Sequence, residues 1–316
     1  MGSRWQKSDY FVGDQDYGCT EQINQGVEHH HHDGGREDPG GCRLYNSLLE
    51  MMPSNPPCRI QHVPQRGAGM VALRKLYPGD LILIEPPLIF VPDKMDGEAT
   101  AALLEVLMSR MSQVQREAVL YLNDSKNPDD PDNLGRFYTN AMSYGEDAVL
   151  CPIMARANHS CRPNAEFVTR KDLGLNHLRA IYPIEEGEEV EINYMLMETE
   201  GLEGREARQA YLRRSYDFEC ICSACNMTGK RLDADEGLRE SLRQMRDRGI
   251  DLLTDQEVDV FLAGLYTIQA KLSYIFEVVE QVKIIVILYP HRFAYIALHY
   301  KWLILINVIT VLLRSG

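Results

Sequence analysis

Three cysteines within six residues, Cys220-Ile221-Cys222-Ser223-Ala224-Cys225, constrain this chain more than any other feature. Thiols this close do not readily pair with one another. They do suit a tetrahedral zinc ion, which takes soft ligands at about 2.3 Å. Three ligands leave one position to fill, so a fourth thiolate has to fold in from elsewhere. Cys161, in Asn158-His159-Ser160-Cys161-Arg162-Pro163-Asn164, is the candidate. Reduced cysteines buried without a role are the plainer alternative, but a C-x-C-x-x-C run among polar and charged neighbours is poor core material. A site closed by four thiolates is structural rather than catalytic. Any fold of this chain is therefore expected to bring position 161 against positions 220–225.

The rest of the composition narrows the class. Eight cysteines in 316 residues are too few for a disulfide scaffold. At 45% hydrophobic and 25% charged residues, the chain is an ordinary globular one with material for one large or two modest domains. Its 33 Lys and Arg against 46 Asp and Glu give a net charge of −13. Such a field repels phosphate backbones and attracts cationic, lysine-rich segments, so direct nucleic-acid binding is not expected.

Residues 1–57, with Gly, Asp, Gln and the run His29 to His32, lack sustained apolar periodicity and read as a disordered leader. No apolar signal segment comes after the start, so a reducing compartment, the cytoplasm or nucleus, is expected. From Cys58 the texture turns to short strands: 59–63, 70–73, 81–84 and 88–91, then 165–169, 177–181 and 190–194. Helical spacing marks 98–122 and 134–142, and two further helices are expected over 230–248 and 255–281. The fold class is α+β: small sheets over 58–215 with a helical insertion at about 93–150, a cysteine-rich segment at 216–228 and a helical region at 229–282. An apolar tail occupies 283–316. Within it Phe293 to Leu313 is about long enough to span a bilayer, but His299, Lys301 and Asn307 interrupt the run and disfavour a membrane anchor.

Taken singly, the other motifs are bland. Arg66-Gly67-Ala68-Gly69 is a hairpin turn that lacks the third glycine and following helix of a dinucleotide site. Asn158-His159-Ser160 reads as a turn with a satisfied histidine. The acidic run Glu185 to Glu191 reads as a solvated face, and Tyr194 as a buried tyrosine ending a strand.

Taken in order they are specific. Arg66-Gly67-Ala68-Gly69-Met70, Asn158 through Asn164, Gly187-Glu188-Glu189 through Tyr194, and Tyr216-Asp217-Phe218-Glu219-Cys220 through Cys225 resemble the signature segments of SET-domain protein lysine methyltransferases. The likeness runs from about Cys58 to Cys225 and is greatest to the SET and MYND-domain family. That family's MYND zinc finger is missing, because no cysteine lies between Cys58 and Cys151. The resemblance implies a SET fold closed by a post-SET zinc segment and followed by a partial helical domain. It implies S-adenosylmethionine as cofactor, held by Arg66, Gly67, Ala68, Gly69, Asn140, Asn158, His159, Tyr194, Tyr216 and Phe218. Tyr194 and Tyr216 become the catalytic tyrosines, the first at the methyl-transfer centre and the second lining the lysine channel. Cys161, Cys220, Cys222 and Cys225 become the ligands of a structural zinc ion. The expected activity is methyl transfer to a lysine amine in a protein substrate, by a monomer. The alternative is an inactive SET-fold interaction module stabilised by zinc.

Overall fold

Alternating aliphatic residues around a tight turn start the structure, a computed structural model that describes residues 52, 55–126, 133–171, 173–196, 200–249 and 252–268. Strands β1 (Cys58–Val63) and β2 (Gly67–Ala72) pair antiparallel, with Val63 opposite Gly67. Gln65 and Gly67 both have positive φ, and glycine takes that conformation without a steric penalty. The strands assemble into three small sheets. Strands β3 (Leu81–Glu85), β9 (Leu175–Ala180) and β8 (Ala165–Arg170) form one, in the order β3-β9-β8. Strands β4 (Ile89–Val91), β6 (Asp147–Leu150) and β5 (Met142–Tyr144) form another, in the order β4-β6-β5. The third sheet runs β1-β2-β10-β7, where β10 is Glu189–Ile192 and β7 only Asn158–His159.

The sheets share one apolar core that includes Met70, Leu76, Ile82, Leu178, Ile184 and Val190. Cys58 and Cys151 lie in it as buried thiols, apart from the other four described cysteines.

The insertion differs in detail from the sequence reading. Its single helical pattern over 98–122 is two helices, α1 (Gly97–Arg110) and α2 (Gln113–Leu120). The break falls at Ser112, whose hydroxyl accepts from the Gln115 amide while the Gln115 side chain accepts from the Ser112 amide. This capping box starts a new helix. Helix α3 (Leu134–Asn140) then leads into the β5–β6 hairpin, which pairs back onto β4. The insertion is thus partly sheet, and strands of three and four residues are too short to leave a periodic signal.

Beyond the sheets come α4 (Arg205–Tyr216), α5 (Gly229–Arg248) and α6 (Asp255–Thr267). Among the described residues no helix is long and apolar enough to cross a membrane. Most of the leader, the remainder of the helix expected over 255–281 and the apolar tail at 283–316 lie outside the described residues.

Candidate active site

The two-residue strand β7 pairs parallel with β10, setting Asn158 opposite Glu191 and His159 opposite Ile192. Alternation along β10 puts Glu189 and Glu191 on one face. There the Arg66 guanidinium pairs with both carboxylates at 2.7 and 2.5 Å and also donates to the His159 carbonyl. The Asn158 amide donates to Glu189 at 2.7 Å and to the Ala68 carbonyl at 3.3 Å. Gly69 lies under this group. A Cβ there would stand 2.6 Å from the Glu189 Oε1 and 2.9 Å from the Asn158 Nδ2, so only glycine lets them close. Burial is the main cause that pushes the Glu191 carboxyl up to about 7. The Arg66 guanidinium opposes the shift, and the Glu189 charge adds to it.

An aromatic cluster stands beside it. Tyr194 lies 5.3 Å from His159 and 5.0 Å from Tyr216, ring centre to ring centre, and 6.4 Å from Phe218. The end of α4 arranges this. Tyr216 is its last residue, and Asp217 takes a left-handed conformation (φ 56°) that turns the chain, bringing Phe218 back to 6.4 Å from Tyr216. The Tyr194 hydroxyl donates to the Ala157 carbonyl at 2.8 Å, and the Tyr194 amide donates to His159 Nδ1 at 3.0 Å. With Nδ1 accepting, a neutral imidazole carries its proton on Nε2, which points to the Cys161 sulfur at 3.5 Å. Burial raises the pKa of Tyr194 above the ordinary tyrosine value. It pushes Tyr216 up to about 12, with Tyr211 adding to that shift, so both phenols stay protonated at neutral pH.

Cys161, Cys220, Cys222 and Cys225 are all buried, and their sulfurs lie within 4.8 Å of one another. Cys161 and Cys225 are 3.7 Å apart. A tetrahedron with bonds of about 2.3 Å has edges of about 3.8 Å, so the cluster has the size and the soft donors of a tetrathiolate site.

The family described as SET domain matches residues 67–195. Residues 67–195 are a SET domain.

Curated relatives agree. The histone-lysine N-methyltransferase set5 of Schizosaccharomyces pombe is 28% identical over 191 residues, covering 60% of this chain and 57% of that protein. The human histone-lysine N-methyltransferase SMYD3 is 36% identical over 105 residues, 31% of this chain and 23% of its own. The human protein-lysine N-trimethyltransferase SMYD5 is 35% identical over 80 residues, 25% and 19% respectively. The chain therefore spans a little over half of the first relative and about a fifth of the other two.

Around the SET domain, Arg66 just before it, Asn158, His159, Cys161 and Tyr194 within it, and Tyr216, Phe218, Cys220, Cys222 and Cys225 after it converge. Gly67 and Gly69 form the strand beside them, and Ala68 contributes its carbonyl. Asn140 makes no contact with this group among the described residues. Both hydrogens of its amide go to the Asn123 and Arg136 carbonyls at 2.7 Å. The sequence reading missed Glu189 and Glu191, which it assigned to a solvated face; their side chains are only 13% and 19% exposed. Their spacing of two on a strand, facing an arginine turn, was the available signal. It also missed Gln209 on α4, whose amide donates to the Cys220 carbonyl at 2.6 Å and accepts from the Cys220 amide at 2.8 Å.

Proposed function

We infer that this chain transfers a methyl group from S-adenosylmethionine to the side-chain amine of a lysine in a protein substrate. The observation that carries the reading is the packing of Tyr194 and Phe218 on His159, with Tyr216 against Tyr194, where a SET domain meets the segment after it. The groups present fit the cofactor. Arg66, Glu189 and Glu191 offer both signs of charge to a zwitterion, Phe218 offers a flat apolar face to a purine, and the space beside Gly67 is open for close approach. When bound, S-adenosylmethionine supplies an electrophilic methyl carbon on a positively charged sulfur.

The chain's own residues then have definite tasks. A free lysine amine has a pKa of about 10.4, so a buried aromatic channel favours the neutral, nucleophilic form by desolvation. Tyr194 does not act as the base, because burial holds its proton on. That proton is engaged by the Ala157 carbonyl, so the phenol oxygen presents lone pairs. Lone pairs there accept from the incoming amine and offset a neighbouring cation, which orients the amine for in-line attack. Tyr216 narrows the channel, its hydroxyl donating to the Tyr194 carbonyl at 3.4 Å. Cys161, Cys220, Cys222 and Cys225 would hold one structural Zn2+, tying the His159 loop to the segment that carries Phe218. The partner is a lysine-bearing protein or peptide, attracted by the net charge of −13. On this reading the protein works as a monomer in the cytoplasm or nucleus and does not bind nucleic acid.

Titration calorimetry with S-adenosylmethionine and labelled methyl transfer to lysine peptides test this reading. We expect binding and turnover in the wild-type chain. Tyr194→Phe should lower kcat about 100-fold while weakening cofactor binding far less. A zinc-loaded chain that binds no cofactor overturns the reading and leaves the interaction module in its place.

A further inference from the structure

The buried charge next to the cysteine cluster does not balance on its own. Arg208 and Arg239 have no solvent exposure, and Arg162 is mostly buried. One carboxylate, Asp235 on α5, serves two of them, accepting from Arg162 at 2.7 Å and from Arg239 at 2.8 Å. Among the described residues Arg208 pairs with no carboxylate. It donates to the Glu203 carbonyl, and its buried Nε and Nη2 find no nitrogen or oxygen acceptor among the described residues. Three guanidiniums, always charged, and one carboxylate leave two positive charges in a dry site, an arrangement costly unless something answers it.

The cysteines sit where that answer is needed. Leu212 packs in the same buried cluster as the four cysteines, and Arg208 lies one turn before it on the same face of α4. Next to Arg208, Gln209 grips the Cys220 backbone in both directions. Burial works against the charge on Arg208, and Cys161, through charge and a side-chain hydrogen bond, together with Cys225 and Asp235 outweighs it. Zn2+ with four thiolates carries two negative charges, the amount left over.

We propose that Arg208, with the Arg162–Asp235–Arg239 set behind it, is the counter-charge of a tetrathiolate zinc centre and couples helix Gly229–Arg248 to the metal. The inference rests on the zinc reading above. Arg208 is a positioning residue: it stabilises the thiolates and touches no reacting atom. Groups that orient and balance metal ligands commonly change metal affinity by about 10- to 100-fold when removed.

The test measures zinc, not turnover. Zinc per full-length chain is counted by mass spectrometry, and its transfer to a chromogenic chelator is timed. Wild type should hold one zinc per chain. Arg208→Met, similar in length and apolar, should release it about 10- to 100-fold faster, and Arg208→Lys should recover part of the loss. Asp235→Asn removes a negative charge, so it should release zinc no faster than wild type while helix Gly229–Arg248 exchanges its amide hydrogens faster. That variant keeps the test decisive if Arg208→Met does not fold. Wild-type chain that takes up no zinc overturns the zinc reading itself. A zinc-bearing wild type with Arg208→Met releasing at the same rate, or Asp235→Asn releasing as fast as expected for Arg208→Met, overturns the counter-charge alone.

Discussion

Gly69 illustrates how narrowly single atoms set this site. A methyl group there would meet the Val63 Cγ2 as well as the Glu189 and Asn158 side chains, and those two cannot simply swing aside. Glu189 is held by Arg66, and Asn158 by Glu189 and the Ala68 carbonyl. Gly69→Ala is therefore expected to cost about 1–3 kcal/mol, the usual range for overpacking, and to weaken cofactor binding together with stability. Urea unfolding and cofactor calorimetry on the same preparation check both. At this scale the sequence was legible for Gly67 beside the turn and for the clustered thiols, whereas Gly69, read as part of that turn, lies in β2, where close packing rather than φ calls for glycine. It was not legible for Glu189 and Glu191, since an acidic run looks the same whether it faces water or an arginine folded in from 123 and 125 positions away. Arg208 was hidden for a similar reason. Helical arginines usually reach solvent, and only the tertiary fold shows that this one is enclosed.

Among the elements, the short turn Met154–Arg156 matters most, because it delivers Asn158 and His159 to β7. Its entry is capped from a different sheet. The two oxygens of Glu85, at the end of β3, accept from the Ile153 and Met154 amides at 3.1 and 2.8 Å. Burial raises the Glu85 carboxyl from an ordinary 4.5 to about 7, against the two amide bonds, which lower it. The folded state therefore holds this proton where the unfolded chain has released it. The contribution of Glu85 to stability is fully present below about pH 4.5 and is lost as pH rises through about 7. Glu85→Gln should flatten the fall in urea midpoint between those limits, by at most about 1.4 kcal/mol per pH unit, the share of one proton. Glu191, also raised to about 7, should keep a residual slope in the variant. The elements were mostly legible from periodicity, which marked the longer strands and helices. The capping box at Ser112 and the β5–β6 hairpin were not, being set by side-chain hydrogen bonds and by pairing with a strand more than 50 residues earlier.

At the level of the whole molecule, the cysteine cluster joins the SET core to the carboxyl-terminal helices. Cys161 stands two positions after His159, and Cys220 two positions after Phe218, so one ion on both would fix the relative placement of the cofactor residues. Cys222→Ser is expected to lose zinc and to weaken S-adenosylmethionine binding about tenfold or more, read by metal analysis and calorimetry on one sample. Normal cofactor affinity in a zinc-free variant would refute the link. That 161 meets 220–225 was legible from ligand arithmetic alone, whereas the buried arginines that border the cluster were not.

Arg66 reaches partners 93 to 125 positions downstream, and Cys161 meets Cys225 across 64. A growing polypeptide therefore cannot bring these groups together until Cys225 has been made. Contacts this remote along the chain also make for slow folding. On the proposed reading, the site is therefore complete only after translation has passed Cys225.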